Sequence, residues 1–194
     1  MTESVLPVTC PSCQARLETP PKARRKCPSC REWICRRWDY QARSYRLVTA
    51  SEAKKIDEER QRQFEQEARR EADGRWSKLN QQLVAAMKSN DWSAMGTIYF
   101  EQALQLWQEG KPFFHVAQQA RQAELKCYAG LVRYVGVATA NEASCPACRA
   151  LKDKKWTVDQ ALSEMPIPAA GCTTDIGEFG QQQGWCRCVY VCVI

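Results

Sequence analysis

"CPSCQARLETPPKARRKCPSC", residues 10–30, decides how the front of the chain folds. It places Cys10, Cys13, Cys27 and Cys30 as two C-x-x-C pairs with thirteen residues between them. Each C-P-S-C turn aims two sulfurs at one point, and two turns complete a tetrahedron with Zn–S bonds of about 2.3 Å. The spacing predicts a closed four-cysteine zinc site that folds the segment and leaves no position for a substrate. A redox C-x-x-C is the rival reading, but it needs only one pair, beside a βαβ unit. The intervening residues suit a short hairpin, and "WICRRWDYQARSYRLVT", residues 33–49, supplies the following strands. Cys35 falls outside the metal set and packs as a small apolar residue.

Over roughly residues 8–48 this segment resembles the zinc ribbons. It is also strongly basic. Residues 16–46 carry ten Lys or Arg against three Asp or Glu, a net of +7, while the whole chain carries +6. Trp33, Trp38, Tyr40 and Tyr45 are interleaved with these charges. Cations for phosphates beside rings for stacking form a nucleic-acid footprint, with Arg24, Arg25, Lys26, Arg36, Arg37, Trp33 and Trp38 as candidate contacts. The alternative is a basic hairpin whose rings cover a very small core.

The chain has 194 residues, twelve cysteines and one histidine. "MTESVLPVTCPSC" shows neither the basic nor the apolar segment of a signal peptide, and no run of about 18 apolar residues exists. A cytoplasmic or virion-associated protein with no membrane partner is expected, and the cysteines read as metal ligands rather than disulfides. A single histidine removes most acid–base and Ser-His-Asp mechanisms. A zinc deaminase needs H-x-E with P-C-x-x-C. Val116 and Ala117 follow His115, and Ser144 precedes Cys145, so both parts fail. No Gly-rich phosphate loop appears. The chain is expected to be no enzyme, with no small-molecule substrate.

The composition suggests an α+β protein in three parts: a ribbon over 1–49, a helical region over 50–129 and a cysteine-rich β module over 130–194. "SEAKKIDEERQRQFEQEARREADG", residues 51–74, is charged on almost every face and reads as a solvated connecting helix. A coiled-coil or partner-binding helix is its alternative. Trp76, Leu79, Leu83 and Met87 then recur at helical steps. "SNDW" is a turn with Asp91 or Asn90 as cap, and Trp92, Met95, Tyr99, Ala103 and Leu106 continue as a second helix. Gly110 and Pro112 end it. Phe113, Val116, Ala117, Ala120, Ala123 and Cys127 mark another, making antiparallel hairpins. His115 reads as an ordinary helix residue and Cys127 as a core residue. "GLVRYVGVATA", residues 130–140, reads as strand.

The third part offers Cys145, Cys148, Cys172, Cys186 and Cys188, five thiols for a second closed site. In a regular strand Cys186, Cys188, Tyr190 and Cys192 share one face, with Val189, Val191 and Val193 opposite, so both faces are apolar or metal-facing, which suits a terminal strand tucked against residues 130–140. Alternate Cβ atoms then stand about 6.5–7 Å apart, too far for neighbouring sulfurs of one zinc ion. The expected ligands are therefore Cys145, Cys148, Cys172 and one of the closing pair, Cys186 ahead of Cys188 because Gly184 frees the chain before it. Cys192 packs as a hydrophobe. Two zinc ions per chain follow.

"ANEASCPACRALKDKKWTVDQALSEMPIPAAGC", residues 140–172, with the closing "CRC", resembles the C-terminal module of phage Mu F-type head morphogenesis (minor head) proteins. The resemblance covers roughly residues 115–193. Val132 to Ala138 match its leading strand, Cys145, Cys148 and Leu151 its knuckle, and Cys186, Arg187 and Cys188 its closing pair. Where that family often carries His-Pro, this chain has "AAGC", which makes Cys172 a substitute ligand. The resemblance implies a structural or assembly protein of phage or prophage type, with phage head or portal proteins as partners. A nucleic-acid-binding adaptor that uses the basic ribbon on DNA or RNA is the alternative.

Overall fold

In the computed structural model, which describes residues 8–139 and 145–193, the chain is α+β. It divides into two compact units, Met1–Arg70 and Glu71–Ile194. The cut falls inside a helix, whereas the sequence suggests breaks near 49 and 129.

The first unit holds a three-stranded antiparallel sheet in the order β1 (Arg24–Lys26), β2 (Trp33–Asp39), β3 (Ser44–Thr49). The residues between the two cysteine pairs do not form the expected hairpin. Arg16 bridges back to Thr9, ahead of the first pair, and Arg24–Lys26 form β1, which pairs with β2. β2 and β3 lie where the aromatic and β-branched run places them. One face buries Ile34 against Cys10, Leu17 and Cys27. The other buries Cys35 and Val48 against Ala53. Cys35 packs as expected.

Helix α1 (Ala50–Ser89) is continuous over 40 residues. Strong helix formers fill it, no proline interrupts it, and Gly74 faces open space. Its start is a capping box: the Thr49 N–H donates to Glu52 at 2.8 Å, and the Glu52 N–H donates to the Thr49 hydroxyl at 3.3 Å. The charged and amphipathic stretches of the sequence thus belong to one helix.

In the second unit the last turns of α1 are followed by α2 (Trp92–Gln108) and α3 (Phe114–Tyr128). Asp91 caps α2 by accepting from the Ala94 N–H at 2.9 Å, and Asn90 takes the left-handed conformation of the turn. A Cβ on Gly96 would lie 3.6 Å from Ala120 and Ala123, so small residues let α2 and α3 cross closely. The buried stripe is Leu79, Ala86, Met95, Ile98 and Ala123, with Gln102, Ala103, Gln105 and Trp107 further along α2. Met87 and Trp92, read from the sequence as part of the stripe, are exposed.

The second sheet has the order β5 (Lys155–Thr157), β4 (Tyr134–Ala138), β6 (Val189–Val193) and is antiparallel throughout. The leading strand and the terminal strand pair as the sequence suggests. α4 (Pro146–Arg149) is the turn after Cys145, and α5 (Val158–Glu164) starts with a Thr157–Gln160 capping box. Leu125 of α3 shares the core of this sheet with Val135, Val137, Trp156, Ala161 and Tyr190. Each such large side chain, fully buried, contributes about 1.5–3 kcal/mol. The outer edge of β6 is closed at Tyr190. Its N–H donates to Glu124 at 3.2 Å, and its carbonyl accepts from the Tyr128 hydroxyl at 3.4 Å. α3 thereby covers backbone groups that would otherwise template another strand.

Candidate metal centres

Both C-P-S-C turns of the ribbon have the same backbone geometry. The Gln14 N–H donates to the Cys10 carbonyl at 2.9 Å, and the Arg31 N–H donates to the Cys27 carbonyl at 3.0 Å. Gln14 and Arg31 both sit left-handed, at φ 62° and 61°. The Cys10 N–H donates to Ala15 and the Cys27 N–H to Glu32, which folds each turn back on itself. The two turns face each other. Sγ of Cys10 lies 3.8 Å from that of Cys30, and Sγ of Cys13 lies 3.8 Å from that of Cys27. That is the edge of a tetrahedron, about 3.8 Å, that Zn–S bonds of about 2.3 Å require. All four sulfurs lie within 4.8 Å of one another. The Cys30 N–H holds the Cys27 thiol down at about 6. The donor set fits one metal ion with no open position.

The second centre gathers all five candidate cysteines. Cys145, Cys148 and Cys172 form one triad, and Cys148, Cys186 and Cys188 another, with the sulfurs of each within 4.8 Å. Cys148 lies 3.8 Å from Cys172 and 3.8 Å from Cys186. All five are buried. The neighbouring Cys186 thiol and burial together push the Cys172 thiol up to about 12, and burial pushes Cys148 up as well. A bound cation relieves that crowding by taking the sulfurs as thiolates. The two clusters can hold two metal ions, and among the described residues no other group of three His, Cys, Asp or Glu side chains comes together this way.

One premise of the sequence reading fails here. β6 begins at Val189, so Cys186 and Cys188 lie in irregular chain before it. Freed from the strand repeat, their sulfurs come within 4.8 Å, and both reach the cluster. Cys192 is exposed, not packed, and Val189 and Val191 are exposed too, so Tyr190 is the one fully buried side chain of β6. Cys127 is half-buried on α3, and His115 is exposed there.

The sequence reading missed what holds the closing pair in place. The Gly184 N–H donates to the Cys172 carbonyl at 3.1 Å, and the Trp185 N–H donates to the Thr174 carbonyl at 2.8 Å. These bonds lay the segment before Cys186 directly on the segment after Cys172. Arg187 then pairs with Asp175. Trp185 packs between Trp107, Phe113 and Phe100, with ring centroids 5.6, 5.4 and 5.5 Å away. Gln181 donates to the Trp107 carbonyl at 2.6 Å. The loop thus ties the metal cluster to α2 and α3. The dipeptide Gly-Trp immediately before C-R-C was the available signal.

The seven candidate nucleic-acid contacts do not form one surface. Side chains alternate along β2 and directly paired residues share a face. Lys26 pairs with Trp33, and Arg24 with Cys35, so Arg24, Lys26, Trp33 and Arg37 share the face that also packs Cys35 on α1. Arg25 pairs with Ile34, which puts Arg25, Arg36 and Trp38 on the opposite face. Arg37 is occupied by Asp57 at 2.6 and 2.9 Å. Arg36 lies over Tyr45 at 3.8 Å, and Trp38 meets Tyr45 edge-on at 4.8 Å. Arg24 lies over Trp33 at 4.1 Å, with Lys26 at 5.3 Å from the same ring.

No helix among the described residues is long and apolar enough to cross a membrane. Compared with protein-family models, curated proteins and solved structures, the chain matches none of them.

Proposed function

We propose that the chain is a non-enzymatic zinc protein of phage or prophage type, a structural or assembly component that acts through protein–protein contacts. The observation that carries this reading is the pair of all-cysteine clusters, each with sulfurs at or near the edge length of a closed tetrahedron. Soft thiolates favour zinc among the common divalent ions, and a closed site stabilises a fold rather than activating water. The phage type is supported by the order of parts in residues 115–193: a strand, a C-x-x-C knuckle, a proline-rich loop, C-R-C and a terminal strand. Portal and head-shell proteins are the partners this reading implies, in the cytoplasm or the virion. Its test is co-purification with portal and head-shell proteins encoded beside it. Neighbouring genes without terminase and portal, together with no co-purification, would overturn the phage assignment.

A nucleic-acid-binding adaptor is the second reading, and one observation favours it. Trp33 remains 37% exposed beside Arg24 and Lys26, a ring with two cations on one face of the ribbon. Binding through phosphates weakens steeply as salt rises. Arg24→Gln with Lys26→Gln should then weaken binding more than Arg37→Gln, whose guanidinium is already paired with Asp57. No binding of DNA or RNA at low salt would remove this reading.

A further inference from the structure

The second centre has more ligands than a tetrahedral ion can use. Five buried sulfurs surround it, and they are not equivalent. Cys148 belongs to both triads and lies 3.8 Å from one sulfur of each, Cys172 and Cys186. Cys145 and Cys188 each lie within 4.8 Å of Cys148. A tetrahedral ligand set needs neighbouring sulfurs about 3.8 Å apart. The two triads share only Cys148, so a tetrahedral set closes when two sulfurs of one triad and Cys148 draw in a sulfur of the other.

We infer that this centre holds one zinc ion with a spare thiol, that Cys148 is in every ligand set, and that any one of Cys145, Cys172, Cys186 and Cys188 can be lost without losing the ion. Two structural facts make the exchange local. Cys186 and Cys188 sit in irregular chain, where no strand ladder fixes their spacing. Cys172 is joined to that same chain by the Gly184 hydrogen bond, so three of the four outer ligands, Cys172, Cys186 and Cys188, share a linked backbone. A site so built keeps its metal when one outer thiol is oxidised or alkylated. A four-thiol site such as the ribbon's does not.

The inference rests on the zinc reading of this cluster, and one experiment separates the two. Zinc content and the cobalt(II) charge-transfer band, whose intensity counts thiolates, are measured on the full chain and on five single serine variants. The wild type should hold about two ions per chain with four thiolates at each. Cys145→Ser, Cys172→Ser, Cys186→Ser and Cys188→Ser should each keep both ions and full band intensity. Cys148→Ser should fall to one ion, with the ribbon site as internal control. Cys172→Ser combined with Cys188→Ser should also fall to one. If the wild type itself holds only the ribbon ion, the zinc reading fails. If the wild type holds two ions but any outer variant loses one or drops to three-thiolate intensity, or Cys148→Ser keeps both, the spare-ligand inference fails.

Discussion

Gly184→Ala adds one methyl group, and its cost can be worked from its neighbours. A Cβ at Gly184 would overlap the Thr174 carbonyl oxygen and sit 2.7 Å from the Thr173 carbonyl carbon and the Thr174 nitrogen. All three are backbone atoms, so no side chain can rotate away. Overpacking a tight site costs about 1–3 kcal/mol, and a clash that only backbone movement can relieve belongs at the upper end. For a unit of this size about 3 kcal/mol lowers the melting temperature by roughly 10 °C. The movement that relieves the clash separates the Cys172 segment from the Cys186–Cys188 segment, which weakens the second metal centre. Thermal melting by circular dichroism with zinc present, and zinc content after dialysis, read both effects. Gly74→Ala, in open space on α1, is the control of opposite sign: it should stabilise by up to about 1 kcal/mol. A Gly184→Ala protein that melts within about 2 °C of the wild type and keeps its full zinc would refute the idea that this close approach closes the site.

Two further predictions come from the same region. Trp185→Ala empties a site between Trp107, Phe113 and Phe100 and should cost about 3–5 kcal/mol, with the C-terminal ion released more readily on dialysis while the ribbon keeps its own. Acid should empty the two centres in order. Protons and metal compete for the same sulfurs, and a thiol with a raised pKa holds its proton to higher pH. The second centre has Cys172 and Cys148 raised, whereas the ribbon has Cys27 lowered against Cys30 raised, so the C-terminal ion should leave at the higher pH as acid is added. Cobalt absorbance followed on variants that keep one centre each checks the order, and release from the ribbon first would contradict it.

The ribbon was legible because its ligands are local. Two C-x-x-C turns state their own geometry, and the alternation of residues 33–49 states the strands. The cap at Asp91 and the pairing of β4 with β6 were legible for similar reasons, a side chain that satisfies a helix start and two apolar runs that need each other. The second centre was only half legible. "CRCVYVCV" alternates throughout, so sequence alone extends the strand back to Cys186. The hydrogen bonds of Gly184 and Trp185 to the Cys172–Thr174 segment end it at Val189 instead. Those bonds link residues in a loop with no periodicity, where Gly-Trp before C-R-C is the one local sign of them. Trp107 escaped notice for the same reason, since its main partners, Trp185 and Phe179, lie in that loop. The basic footprint divides between two faces for a different reason. Arg36 and Arg37 are neighbours in sequence, but a strand sends them to opposite faces, one over Tyr45 and one to Asp57.

The number of metal ions per chain is the decisive measurement. Elemental analysis of the full chain, purified without added metal and dialysed without chelator, should give about two zinc ions, one for each cysteine cluster. Removing them with a strong chelator should melt the ribbon and the C-terminal sheet, because ligand binding and folding are one equilibrium in such modules. A reproducible content near one would remove the C-terminal centre. A chain with no zinc, or one whose melting is indifferent to chelator, would contradict the central claim that these two clusters hold the fold together through metal.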